Sequence, residues 1–198
     1  VAHCGRPGDE GYGNVIDVLP APGVALDPSR LEGSRRGTLT TASCGVCGRR
    51  SIEDLLARVG ALDHEGSVPR EVIASAPERL ARGQARFAQT GGVHAAAALR
   101  EDGSCIALAE DVGRHNAVDK VLGRLLYEPN ERPAILAVSG RVSFEIVQKA
   151  AAARIPIVAA VSAPTSLAID LAERARITLV AFVRGERLNV YTHARRVR

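Results

Sequence analysis

Four segments of the chain carry residues whose types and spacing suit chemistry. The first is Ser43-Cys44-Gly45-Val46-Cys47-Gly48, followed by Arg49 and Arg50. Its glycines let the backbone bend and expose both sulfurs. The two arginines, and the positive end of a helix predicted to begin near Ser51, both favour thiolate over thiol. A thiolate attacks a persulfide sulfur or another electrophile, and a neighbouring thiol can resolve the adduct. A Cys-x-x-Cys pair can equally be half of a zinc site, completed by Cys4, Cys105 or a histidine. It can also be an incidental pairing, and the residues alone leave these alternatives open.

The second segment is Thr90-Gly91-Gly92-Val93-His94, where a glycine pair permits close approach of a ligand or backbone and aims His94 from the start of a strand. The third, Glu110-Asp111-Val112-Gly113-Arg114-His115-Asn116-Ala117-Val118-Asp119-Lys120, is dense in polar groups where a strand meets a helix. Asn116 and Asp119 are expected to cap that helix, leaving Glu110, Asp111, Arg114 and His115 for binding. The fourth is a set of strand ends: Ser139-Gly140-Arg141, Ser162-Ala163-Pro164-Thr165 and Phe182-Val183-Arg184-Gly185. Two of these lead into helix N-termini, which favour anions, and Ser, Gly and Arg suit a phosphate site. Serine and threonine there can also be simple N-caps.

The elements that must hold these segments follow from periodicity and turn chemistry. Ser51-Ile52-Glu53-Asp54 opens a helix running to Gly60, and Ser75-Ala76-Pro77-Glu78 opens another running to Ala88. Val93–Leu99 and Cys105–Ala109 read as strands joined through Asp102-Gly103, a hairpin signal. A helix to Tyr127 comes next. Then strands Ala134–Val138, Ile157–Val161 and Ile177–Val183 alternate with helices Ser143–Arg154 and Ser166–Arg174, and Leu188–Thr192 ends the chain as a strand. Strand and helix in alternation imply parallel crossovers, and short apolar strands imply helices on both faces. The expected fold is therefore α/β, with an antiparallel hairpin at its start, and such folds bind ligands beyond the carboxyl ends of their strands. The segment 1–40 is Gly- and Pro-rich, with one apolar run at 15–19 that could form an edge strand. We therefore divide the chain into a partial N-terminal segment, 1–40, and a domain, 41–198.

Bulk composition excludes several classes. With 198 residues and 46% hydrophobic content the chain suits one well-buried domain. No apolar run approaches the roughly 18 residues that span a bilayer. The net charge is +4, and all but two of the 26 basic residues are arginine, the exceptions being Lys120 and Lys149. Arginine forks suit phosphate groups. Aromatics make up only 3%, which argues against a stacking surface for single-stranded nucleic acid, so no nucleic-acid partner is expected. The first residues lack the apolar stretch of a signal peptide, which points to a reducing compartment and free thiols rather than disulfides. The absence of any Met suggests a start internal to a longer protein.

Six words occur in order: Cys44-Gly45-Val46-Cys47-Gly48, Thr90-Gly91-Gly92-Val93-His94-Ala95-Ala96, the stretch from Glu110 to Lys120, Ser139-Gly140-Arg141-Val142-Ser143-Phe144-Glu145, Ser162-Ala163-Pro164-Thr165-Ser166-Leu167-Ala168, and Asn189-Val190-Tyr191-Thr192-His193. Together they resemble the formate dehydrogenase accessory sulfurtransferases, the FdhD-type sulfur carriers, over about residues 40–198. The resemblance implies a three-layer α/β/α fold similar to cytidine deaminases, a mixed sheet and a cytoplasmic homodimer. It implies that a cysteine desulfurase charges the cysteine loop, with Cys44 as the persulfide carrier and Cys47 assisting, for the benefit of formate dehydrogenase. It further implies binding of the bis(guanine dinucleotide) molybdenum–pterin cofactor as cargo, with Phe182, Val183, Arg184, Gly185, Glu186 and Arg187 as a cofactor-binding stretch. Ser139, Arg141, Ser162, Thr165, His94, Arg114 and His115 complete the expected cofactor site, and no catalytic metal is expected. The competing reading is a zinc hydrolase of the deaminase type. Deaminases need a His-x-Glu word and a Pro-Cys-x-x-Cys word after it. Here His94 precedes Ala95 and Ala96, Cys44 follows Ser43, and the cysteines come before the histidine, so deamination is disfavoured.

Overall fold

The computed structural model describes residues 2–3, 7–8, 12, 16–17, 19–25, 56–57 and 59–198. Cys4, Cys44, Cys47, Arg49, Arg50 and the Ser51 cap lie outside the described residues. Internal contacts divide the chain into two units, Val1–Thr38 and Leu39–Arg198. In the first unit β1 (Ala2–His3) pairs antiparallel with β2 (Ile16–Asp17). Among the described residues of the apolar run expected as a strand, Ile16 and Asp17 are paired.

The second unit is built on a six-stranded mixed sheet. Its strands are β3 (His94–Leu99), β4 (Cys105–Asp111), β5 (Ile135–Val138), β6 (Ile157–Ala160), β7 (Thr178–Arg184) and β8 (Arg187–Val190), in the order β4-β3-β5-β6-β7-β8. The three central strands β5, β6 and β7 are parallel, while β3 runs antiparallel to both β4 and β5, and β8 antiparallel to β7. The α/β class, the opening hairpin and the parallel crossovers are as the sequence implies. Among the described residues no helix is long and apolar enough to cross a membrane.

Alternation along the strands sorts side chains into two cores. Ala96, Ala98, Leu136, Val138, Val158 and Ala160 face one core, where they meet α4 (Arg114–Leu125), α5 (Phe144–Ala152) and α6 (Ser166–Arg174). Ala95, Ala97, Leu99, Ile135, Ala137, Ile157 and Ala159 face the other, against α1 (Arg70–Ala74) and α2 (Ala76–Arg82). The result is helix, sheet, helix in three layers. The run of alanines in β3 buries little bulk per residue, so helices pack close to the sheet on both sides.

Three expectations need correction. The helix expected from Ser75 to Ala88 is two, α2 and the short α3 (Ala85–Thr90), parted at Gly83. Gly83 is the C-cap of α2, and a Cβ there would collide with the Leu108 side chain, so the residue at the break packs directly against β4. Helix α1 was not expected, although Pro69-Arg70-Glu71 carries the Pro-then-acid signal of a helix start. Helix α4 begins at Arg114 rather than after an Asn116 cap, with Gly113 as N-cap and no side-chain capping bond. By contrast, Leu56, Ala57 and Val59 are helical and the helix stops at Gly60, whose φ of 66° is the left-handed end the sequence suggests.

The chain end closes the domain. Val68 N–H donates to the Arg196 carbonyl at 2.9 Å, Arg198 N–H to the Val68 carbonyl at 3.0 Å, and Arg70 N–H to the Arg198 carbonyl at 2.7 Å. Arg196 itself is 1% exposed, with Nε donating to the His64 carbonyl at 3.0 Å and Nη1 to Thr178 Oγ1 at 3.3 Å.

Candidate functional site at the carboxyl edge of the sheet

The loops after β5 and β6 run side by side. Val142 N–H donates to the Ala163 carbonyl at 3.1 Å, and Thr165 N–H donates to the Val142 carbonyl at 2.9 Å. The third loop joins them through Phe182, whose N–H donates to the Ser162 carbonyl at 3.4 Å. Phe182 sits at a bulge between Ala181 and Arg184 with φ of 53°, a left-handed conformation that is costly for an aromatic residue. Bulges of this kind re-aim side chains beside sites, and Phe182 is turned out to 38% exposure.

Because β3 is antiparallel to β5, its first residue, His94, arrives at this same edge. Helix α4 brings Arg114 and His115 there in its first turn. Gly140 is the meeting point. A Cβ on it would lie 3.3 Å from both Arg114 Cδ and His94 Nδ1. The Nε of Arg114 is buried without a hydrogen-bond partner. His115 Nε2 lies 2.9 Å from Ser143 Oγ and 3.7 Å from the Glu145 carboxylate. Lys149 continues the chain of charges, 3.7 Å from Glu145 and 2.5 Å from Asp119. Burial holds His115 below its ordinary pKa of 6.5; Arg114 and Lys149 add to this, and Glu145 opposes it.

The structure thus brings together Ser139, Ser162, Thr165, Phe182, His94, Arg114 and His115, with Arg141 exposed on the same loop. Two of the hydroxyls are engaged. Ser139 Oγ accepts the Ala95 N–H at 2.9 Å, tying β5 to β3, and Thr165 caps α6 by accepting the Ala168 N–H at 3.2 Å. A cavity of about 520 Å³ opens beside them, lined by Gln84, Phe87, Gly92, His94, Ser139 and Val161 among others.

The stretch from Phe182 to Arg187 does not present one continuous exposed face. The Val183 side chain is fully buried in the core under α1 and α2. Beyond it Arg184, Gly185, Glu186 and Arg187 form the β7–β8 turn, and Arg70 Nη2 donates to the Glu186 carbonyl at 2.6 Å. Gly185 and Glu186 line a separate concavity of about 380 Å³ with Ser75 and Glu78.

The dense segment from Glu110 to Lys120 is largely self-satisfied, and Asn116 and Asp119 do not cap the helix as the sequence suggested. Asp111 accepts the Gly113 N–H at 2.8 Å and pairs with Lys120 at 2.5 Å. Lys120, with the Gly113 and Asn116 donors, holds its carboxyl at about 2. Asn116 donates its side-chain amide to Asp111 rather than capping, and Asp119 pairs with Lys149. Glu110 accepts two backbone N–H groups, from Arg86 and Phe87, each at 2.9 Å. Cys105 is exposed at the start of β4. Among the described residues no group of three or more His, Cys, Asp or Glu side chains could hold a metal ion.

The sequence pattern that defines the FdhD/NarQ family matches residues 16–198. The chain belongs to this family. It is 54% identical to the sulfur carrier protein FdhD of Anaeromyxobacter dehalogenans (strain 2CP-C), in an alignment covering all of this chain (100%) and 71% of that protein. It is 46% identical to the sulfur carrier protein FdhD of Mycobacterium tuberculosis, over 100% of this chain and 74% of that one. Its fold is similar to the crystal structure described as a formate dehydrogenase accessory protein from Desulfotalea psychrophila, with a TM-score of 0.66 and 34% identity. That match covers 74% of this chain and 62% of the other, so the family member described here spans less than two thirds of that chain.

Proposed function

We propose that this chain is a sulfur carrier that serves formate dehydrogenase. In this reading Cys44 takes sulfur from the persulfide of a cysteine desulfurase. The Cys44 thiolate attacks the terminal sulfur, a new S–S bond forms on Cys44, and the donor's S–S bond breaks to leave its thiolate. No net oxidation occurs. Cys47 assists release of the sulfur to its acceptor, the bis(guanine dinucleotide) molybdenum–pterin cofactor, which is cargo here. The carboxyl edge of the sheet would hold the nucleotide ends of that cargo, and the protein would act in the cytoplasm as a homodimer.

The observation that carries the reading is 54% identity, over the whole chain, to a protein named as a sulfur carrier. Two physical features support it. The edge gathers His94, Arg114, His115 and Arg141, a cationic and hydrogen-bonding set suited to phosphates. The 520 Å³ cavity beside them is of the size that small-molecule sites occupy. Positioning carrier and acceptor on one domain turns a bimolecular transfer into an effectively unimolecular one.

Mass spectrometry after incubation with a desulfurase and cysteine tests the reading. One added sulfur on the Cys44 peptide is expected, with none in Cys44→Ala and normal loading in Cys105→Ser. Loading that survives Cys44→Ala would refute the assignment of the carrier residue.

A further inference from the structure

Glu110 belongs to the segment that the sequence marks for binding, and its carboxylate grips a helix. Both oxygens are used: Oε2 accepts the Arg86 N–H and Oε1 the Phe87 N–H, each at 2.9 Å. These donors belong to the first turn of α3, a helix of six residues with no buried side chain. A helix so short is not stable by itself in water, because nucleation fixes several residues for each bond gained. Burial does not hold it either, since every residue from 85 to 90 is exposed. At its far end Gly91 takes φ of 63°, and Gly92 follows, a flexible exit. Thr90 Oγ1 bonds the Arg86 carbonyl and the Gly92 N–H, contacts local to α3 and its exit turn. Among the described residues, the two bonds to Glu110 are the long-range anchors of its first turn.

Helix α3 is also one side of the cavity at the carboxyl edge. Gln84 and Phe87 line it from α3 and its entry, and Gly91 and Gly92 from its exit, opposite His94 and Ser139. Phe87 is 46% exposed there, an aromatic face kept on the surface of a chain with few aromatics. We propose that Glu110 is a positioning residue: its carboxylate holds α3 as the wall of this cavity, and so sets Phe87 against the planar base of a bound nucleotide. The second clause rests on the nucleotide reading given above. An anchored wall keeps the aromatic face in place before the ligand arrives, so less ordering is left to binding. A flat ring against a base is a common use of a partly exposed aromatic.

Amide hydrogen exchange of the whole chain, with calorimetric titration of GDP, tests both clauses in Glu110→Ala, Glu110→Gln and Phe87→Ala. In Glu110→Ala, exchange should rise over residues 85–90 and stay unchanged in β3 and β5. GDP affinity should fall about tenfold, because the wall must be ordered on binding. Glu110→Gln keeps one acceptor oxygen and should fall between wild type and Glu110→Ala in both measurements, and it serves if the alanine variant does not fold. Phe87→Ala should lose affinity without faster exchange elsewhere. Unchanged exchange at 85–90 in Glu110→Ala overturns the anchoring of α3. Faster exchange with unchanged GDP affinity overturns its role as a wall. If wild-type protein binds no GDP, the nucleotide reading falls and the second clause with it, while the exchange measurement still decides the first.

Discussion

Ser143, the residue before the first turn of α5, shares a hydrogen bond with His115 Nε2 at 2.9 Å instead of capping its own helix. The bond joins the starts of α4 and α5 beneath the loop that carries Gly140 and Arg141. His115 is held in its neutral form mainly by burial, and the Arg114 and Lys149 charges act in the same direction. The unfolded chain therefore binds a proton at His115 more readily than the folded one. Stability from this residue is complete above its ordinary pKa of 6.5 and is lost as pH falls from there toward the lower folded value. Urea denaturation between about pH 7.5 and 5 should show falling stability in wild type and a shallower fall in His115→Gln, which can still bond Ser143. Parallel slopes would show that His115 is not the titrating group.

Gly140 packs against Arg114 and His94, two side chains of the proposed site. An added Cβ would sit 3.3 Å from Arg114 Cδ and 3.3 Å from His94 Nδ1, so both must give by a few tenths of an ångström. Both are side-chain atoms rather than backbone, so Gly140→Ala should fold, with a loss of about 1 kcal/mol. GDP affinity should drop by roughly threefold to tenfold, because His94 and Arg114 are displaced together. Calorimetric titration beside urea denaturation separates the two effects. Unchanged GDP affinity would mean that neither side chain touches the ligand.

The frame of the fold was legible because its signals are local. The hairpin at Asp102-Gly103 and the apolar strands β5, β6 and β7 appear where periodicity puts them. What escaped depends on contacts distant in sequence. Gly83, where α2 stops, packs against Leu108, twenty-five residues on, and the first turn of α3 bonds Glu110. Asn116 and Asp119 look like caps by type, but Asp111 and Lys149 claim them. The gathering of these loops at the strand ends followed from the α/β pattern alone. Its membership did not, because a contiguous word such as Phe182–Arg187 is divided by the sheet: Phe182 is turned out at a bulge, Val183 is buried, and the rest forms a turn.

Arg196 escaped for a similar reason, since an arginine two residues from the chain end reads as solvated. It is instead 1% exposed, donates to the His64 carbonyl and Thr178 Oγ1, and leaves Nη2 buried without a partner. Burial lowers its pKa, as expected for a guanidinium taken out of water. Its bonds tie the chain end to the segment that leads into α1. Arg196→Ala removes these bonds and leaves a cavity, so a loss of about 2–4 kcal/mol is expected by urea denaturation. Arg196→Met should lose less, since it refills the space without burying a charge. A loss below about 1 kcal/mol in Arg196→Ala would show that the chain end does not fasten the domain.

The exposed turn between β7 and β8 tests how far the proposed binding surface extends. Arg184 is exposed, faces Arg187 across the turn, and has no ion-pair partner among the described residues. A charge-assisted bond to a phosphate is worth about 1.5–3 kcal/mol when shielded, and less when water and salt screen it. Arg184→Ala should therefore weaken GDP binding by about threefold to tenfold, with the difference shrinking as salt is raised. Ser139→Ala, at the other end of the edge, should weaken GDP binding through β3. It frees the Ala95 N–H that Ser139 Oγ now accepts, and so loosens His94. Titration of both variants at low and high salt distinguishes the contributions. A loss in Arg184→Ala that does not respond to salt would speak against a phosphate contact, and no loss at all would confine the nucleotide to the cavity beside His94.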